Sequence, residues 1–237
     1  MQDHSHYSQQ SLSILATVGG SLLAFNAGFI NSTGLMGFDH KTISHLTGTV
    51  TLSAIAVSKY EGIFETGTLV GSFFAGATLS GVIIGGMSLK FGRRYGIALI
   101  LESLLLFLAW NLFKNHSHAG EFLAAMACGL QNALVTTLSG AVIRTTHLTG
   151  VVTDLGNIFG NFLCGRNIDN KHPFLLFMLL LFFFTGALAG AFSFVHYGLD
   201  NILYSSLFTL LLGSIYLAIK IFVSDHHSKS SHLGTSC

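Results

Sequence analysis

The chain has 237 residues, of which 51% are apolar and 9% charged, with 27 Gly, a single Pro and a formal net charge of +1. So few charges among so many apolar side chains lie well outside the soluble-domain average and mark a membrane protein whose surroundings are lipid. A near-neutral chain offers neither the basic surface that nucleic acid requires nor a polybasic lipid patch.

Crossing a hydrocarbon core takes about 20 apolar residues per helix. In chain order, six stretches qualify: Leu12 to Met36, Ile63 to Met87, Ile97 to Phe113, Phe122 to Ile143, Phe174 to Val195 and Ile202 to Val223. The expected fold is therefore an all-α membrane protein, one transmembrane domain over 1–237. It divides into a first repeat at 12–113 and a second at 120–223, with polar tails at 1–11 and 224–237. The N-terminal MQDHSHYSQQ has no Lys or Arg ahead of an apolar stretch too long for a signal peptide's core, so the first helix is expected to be retained.

Lys and Arg collect on the cytoplasmic side. With six crossings and a cytoplasmic N-terminus, Lys90, Arg93, Arg94, Arg144, Arg166, Lys171, Lys220 and Lys229 fall inside, and Lys41, Lys59 and Lys114 fall outside. If the two HLTG segments also crossed, giving eight spans, this asymmetry would fall to six against five, so six crossings are expected. Both termini are thus expected in the cytoplasm. Gly85 to Arg94, GGMSLKFGRR, resembles the cytoplasmic loop between the second and third helices of major facilitator transporters, roughly G-x-L-A-D-R-F-G-R-R, with Leu89 where that pattern has Asp. The same stretch also reads as a basic turn closing two packed helices. Either way it lies inside.

One polar phrase occurs twice. HLTGTVTLSA begins at His45 and HLTGVVTDLG at His147. Aligning the halves on it pairs Asn26-Ala27 with Asn132-Ala133. Since each half holds three crossings, the second half must be inverted relative to the first, as in many secondary transporters, where the substrate sits near the midplane between corresponding broken helices. Each half would then carry a short broken or re-entrant HLTG helix, about Thr47 to Lys59 and Thr149 to Leu163. Thr47-Gly48 and Thr149-Gly150 are expected to cap the helix starts, whose free N–H groups attract anions. The phrase is expected to recur because the two elements face one shared site.

Gly129 to Gly156, GLQNALVTTLSGAVIRTTHLTGVVTDLG, and Asn26 to Leu35, NAGFINSTGL, resemble the YoaK-like family of bacterial multi-pass membrane proteins, domain of unknown function 1275. The likeness covers nearly the whole chain. It implies an integral protein of about six helices in a bacterial inner (plasma) membrane, and no particular activity. The family's first motif usually has an acidic residue where Asn31 stands, and T-G-N where this chain reads Thr47-Gly48-Thr49.

Ala125, Cys128, Gly129, Asn132, Thr136, Ser139 and Gly140 share one face of the fourth span, either for close packing with interhelical hydrogen bonds or to line a cavity. Gly150, Asp154, Asn157 and Asn161 form a stripe on the second HLTG helix. Gly67, Gly71, Gly81 and Gly85 make two G-x-x-x-G pairs on the second span, expected to pack against a neighbouring helix or a second subunit. Glu102, Arg144 and Asp154 are the ionisable groups nearest membrane depth, where such groups face a bundle interior and carry function; Glu102 could equally snorkel to the nearby cytoplasmic end.

Cys128, Cys164 and Cys237 have no ligand-like spacing, and two imidazoles, His45 and His147, make an incomplete metal site, so neither metal nor cofactor is expected. The histidines of the tails and of the short outer loop, His116 and His118, are expected to be solvated. No hydrolase elbow, zincin helix, Walker loop or dinucleotide fingerprint occurs, so enzymatic activity is not expected. The reading is a secondary transporter or permease for a small polar solute, with half the helices of a major facilitator, so that a homodimer would complete a pathway. The other reading is a non-transporting membrane scaffold or assembly protein. Pathway candidates are Asn26, Asn31, His45, Thr47, Gln131, Asn132, Thr136, Arg144, His147, Thr149, Asp154 and Asn157.

Overall fold

The computed structural model describes residues 3–37, 45–59, 63–85, 92–138, 145–166 and 171–233. All regular structure in them is helical: α1 (Asp3–Gly37), α2 (Leu46–Lys59), α3 (Ile63–Ile84), α4 (Arg94–Lys114), α5 (Ala119–Leu138), α6 (Leu148–Leu163), α7 (Lys171–Tyr197) and α8 (Asn201–Leu233), with a 3-10 turn at Gly198–Asp200 joining the last two. Three stretches are long and apolar enough to cross a bilayer: Phe64–Ile84, Arg94–Lys114, and the 50 residues Pro173–Phe222, which take in α7, the turn and the apolar part of α8. Large apolar side chains point outward from them, among them Phe64, Phe74 and Val82 on α3 and Phe184, Val195 and Phe222 on α7 and α8. Such an apolar exterior suits lipid rather than water.

Small residues decide which helices meet. On α1, a Cβ at Gly28 would overlap the Phe183 carbonyl of α7; on α7, one at Gly186 would overlap the Phe25 carbonyl of α1. The contact runs from Gly20 beside Leu179 to Gly37 beside Phe194, so these two helices are parallel. Between α3 and α5, a Cβ at Gly76 would overlap the Met126 carbonyl, and one at Gly129 the Phe73 carbonyl. Backbones approach this closely only where no side chain intervenes. The third large contact joins α4 and α8, antiparallel, from Trp110 beside Asp200 to Gly96 beside Leu217. α5 also packs on α4, while α2 touches only α3 and α6 only α7 among the described helices.

Among the described residues, the G-x-x-x-G pairs of the second span do not pack against a neighbouring helix of the same chain. Gly67, Gly71 and Gly81 have open space where a side chain would go, and Gly76 makes the close approach instead. Spacing alone does not say which face of a helix meets its neighbour. Gly85 ends α3 at φ +63, a left-handed conformation suited to a residue without Cβ.

The repeated phrase is a helix start used twice, with His in the capping position. The Gly48 N–H donates to His45 Nδ1 at 3.2 Å. His147 precedes α6 with its ring over the first turn, where a Cβ at Gly150 would overlap Nδ1. Next come matching hydroxyl bonds, Thr51 Oγ1 to the Thr47 carbonyl and Thr153 Oγ1 to the Thr149 carbonyl, both 2.8 Å. Contrary to expectation, Thr47-Gly48 and Thr149-Gly150 therefore sit within the first turns rather than capping them; the cap of α2 is His45, and His147 holds the N-cap position of α6 without a side-chain hydrogen bond to it. At 14 and 16 residues, α2 and α6 are each shorter than about 20 residues, the length of a full crossing.

Candidate functional site

Midway along the α4–α8 pair, the helices are joined by side chains. Ser103 Oγ donates to the Ser206 carbonyl at 2.8 Å, and Ser206 Oγ donates to the Ser103 carbonyl at 2.9 Å. One residue away, Glu102 is 0% exposed. It does not snorkel, because the chain here is enclosed by α1, α5 and α8. Its Oε1 accepts from Asn26 Nδ2 at 3.3 Å and from Gln131 Nε2 at 3.0 Å. Asn26 Oδ1 accepts the Ser205 hydroxyl at 2.7 Å. One side chain from each of α1, α4, α5 and α8 thus meets at a single buried polar centre. Glu102 Oε2 has no hydrogen-bond partner among the described residues, an uncommon condition for a buried polar atom.

A second buried cluster lies toward one end. Asn201, at the start of α8, donates to Thr33 Oγ1 at 2.8 Å and to the Gly190 carbonyl at 2.9 Å, and accepts from Ser193. It ties α1, α7 and α8 together. Beside it an open cavity of about 260 Å³ is lined by Phe113, His116, His118, Glu121 and Leu199, among others. His118 Nδ1 is 3.0 Å from Glu121 Oε1.

Of the expected pathway residues, Asn26 and Gln131 converge on Glu102. Asn132 does not join them, and the expectation that Asn26 and Asn132 share one site is corrected. Asn132 Nδ2 donates to Thr146 Oγ1 at 2.6 Å, and its Oδ1 accepts from Thr145 Oγ1 at 2.8 Å and from the Thr146 N–H at 3.2 Å. Its work is to hold the turn that enters α6. Thr136 hydrogen-bonds the Asn132 carbonyl on its own helix, and Asn31 is half-buried on α1.

His45, Thr47, His147, Thr149, Asp154 and Asn157 are all exposed. Because α2 and α6 are not in contact, these residues do not face one another, and the shared site expected between the HLTG elements is not formed by the described residues. Asn161 bridges Asn157 and Arg166 on the same outer face. Arg144 lies outside the described residues, as do Ser139 and Gly140. Cys128 is buried and Cys164 exposed, both as free thiols. Among the described residues no group of three or more His, Cys, Asp or Glu stands close enough to hold a metal ion.

Reading the sequence for polar repeats passed over Ser103, Ser205 and Ser206, and left Glu102 out of the pathway. For Glu102 the signal was present, an acid inside an apolar run. For the serines there was none, because Ser is common in membrane helices.

No curated protein and no solved structure matches the chain significantly. Residues 19–216 match the family described as "Protein of unknown function (DUF1275)". That match begins within α1, ends within α8 and includes every member of the polar centre, so the chain, helical and with stretches able to cross a membrane, belongs to the DUF1275 family.

Proposed function

We propose that the chain crosses the membrane six times as two inverted three-helix halves and acts as a secondary transporter or permease for a small polar solute, with the Glu102 centre on its pathway. The observation that carries this is the buried carboxyl joined to Asn26, Gln131 and Ser205 from three other helices. An ionisable group at membrane depth is costly and is characteristically kept for function.

The inversion is supported by how the contacts pair. Phe25 and Gly28 on α1 precede Met126 and Gly129 on α5 by 101 positions, while Phe73 and Gly76 on α3 precede Phe183 and Gly186 on α7 by 110. Exchanging the halves turns the α1–α7 contact into the α5–α3 contact and returns the Ser103–Ser206 contact to itself. Since α4 and α8 are antiparallel, a two-fold axis exchanging them lies across the helices, which is the arrangement of inverted-topology repeats. On this register Asn31, not Asn26, corresponds to Asn132. The 50-residue stretch Pro173–Phe222 is far longer than one crossing needs and reads as two. Glu102 corresponds to Ser205, so the charge falls in one half only.

One observation favours the scaffold reading. Asn26 is 1% and Glu102 0% exposed, so the polar centre is enclosed, as it would be if it only joined helices. For a transporter this is an occluded state, with the 260 Å³ cavity as the vestibule on the side away from the termini. Vesicles with and without the purified protein, offered a mixture of amino acids, sugars and organic acids, separate the readings. Accumulation of a component only in the protein-containing vesicles supports transport; none in either orientation supports a scaffold.

A further inference from the structure

We infer that Glu102 is a proton-binding site and that the proton is the ion coupled to solute movement, the coupling resting on the transporter reading and the proton site standing without it.

The geometry is lopsided. Two amide N–H groups point at Oε1, and nothing among the described residues points at Oε2. In this arrangement Asn26 turns its Nδ2 toward Glu102 Oε1 while its Oδ1 accepts the Ser205 hydroxyl. A carboxylate shares its charge over both oxygens, and in an enclosed site each needs donors. A carboxylic acid is uncharged, so an unpartnered hydroxyl at Oε2 costs less in an enclosed site than an unpartnered carboxylate oxygen, with Oε1 as the accepting carbonyl.

The neighbours favour a proton over other cations. No Lys, Arg or His is paired with Glu102 among the described residues. A sodium-like ion takes several oxygen ligands, as hard cations do, whereas both amides present their nitrogens to this carboxyl, and Asn26 Oδ1 is occupied by the Ser205 hydroxyl. The thiol of Cys128, on α5, is the titratable group that interacts with Glu102 electrostatically. From α1 and α8 the facing groups are the uncharged Asn26 and Ser205.

In the cycle that follows, Oε2 takes a proton from hydronium on one side of the membrane, releasing water, and gives it to water on the other, forming hydronium; each transfer breaks one O–H bond and makes one. Protonated, the centre is neutral and can close. Deprotonated, it carries a charge that calls for water or solute, which favours an open state. Each opening is thereby tied to one proton.

The chain has four glutamates, Glu61, Glu65, Glu102 and Glu121, so infrared spectroscopy with 13C-labelled glutamate can test the site. At neutral pH the purified wild-type protein should show a carboxylic-acid carbonyl band that moves on glutamate labelling and is lost in Glu102→Gln. Should that variant not fold, the combined Glu61→Gln, Glu65→Gln, Glu121→Gln protein must keep the band. Absence of a glutamate-sensitive acid band, its loss in the combined variant, or a carboxylate band that shifts with sodium would each overturn the proton site. With the same solute mixture in vesicles, an imposed pH gradient should drive accumulation by the wild type and leave Glu102→Gln with equilibration only; accumulation by Glu102→Gln equal to wild type overturns the coupling. An acid band without accumulation of any solute would retain the proton site and remove the transport reading. Accumulation without an acid band would do the reverse.

Discussion

Ser103 on α4 and Ser206 on α8 each donate a hydrogen bond to the other's backbone carbonyl, at 2.8 and 2.9 Å, with their hydroxyl oxygens 3.1 Å apart. Reciprocity of this kind makes the two residues equivalent. Ser103→Ala and Ser206→Ala should therefore lower stability by the same amount, about 0.6 kcal/mol each, the mean for an interhelical hydrogen bond in membranes. Thermal melts of both variants in detergent check it, and a cost confined to one of them would contradict the equivalence.

The glycines of α3 divide by what they face. Gly76→Ala places a methyl against the Met126 carbonyl and should cost about 1–3 kcal/mol, as overpacking does. Gly71→Leu enters open space and should leave the melting temperature unchanged. If Gly71→Leu instead lowers stability or dissociates a dimer, a second copy of the chain covers that face.

For Asn132 the contacts predict a local effect. Asn132→Leu removes all three hydrogen bonds to Thr145 and Thr146 and should speed amide exchange across Thr146 to Val151 while α1, α4 and α8 keep their protection. Asn26→Leu should leave that segment unaffected. Equal exchange at Thr146 in wild type and Asn132→Leu would show that the turn is held by other means.

How much of this was legible beforehand follows from which forces are local. Each of the six apolar stretches lies, over its described residues, almost wholly on a long helix, because length and hydropathy are properties of a segment alone. The recurrence of HLTG was visible too, yet its meaning was not. Capping depends on whether His45 Nδ1 reaches the Gly48 N–H, which is a matter of backbone conformation, and Gly at the third position leaves room for the ring, as at Gly150. In the proposed register Asn132 answers to Asn31 rather than to Asn26, five positions away, although Asn26 and Asn132 are alike as letters. What sets register is the close approach of Gly28 and Gly129 to carbonyls on other helices, and that couples residues far apart in the chain. Glu102 stood out as an acid in an apolar run, but its partners came from α1, α5 and α8, and no single segment names them.

The proposed six crossings, an even number, put both ends of the chain on one side of the membrane. Cysteines introduced by Ser5→Cys and Ser230→Cys, in a background with Cys128, Cys164 and Cys237 replaced, should behave alike toward a membrane-impermeant label applied from outside intact cells, and both should remain unlabelled. Labelling of one without the other would require an odd number of crossings.

Passage of solute at the Glu102 centre is read most directly by accumulation in vesicles holding wild-type, Asn26→Leu, Gln131→Met or Gly71→Leu protein, each with its melting curve. Asn26→Leu and Gln131→Met keep side-chain size while removing the donors to Glu102 Oε1. Both should remain folded and lose accumulation at least tenfold, an effect of about 1.4 kcal/mol on the transport barrier, while Gly71→Leu transports as wild type. Full accumulation by folded Asn26→Leu and Gln131→Met protein would contradict a pathway through this centre.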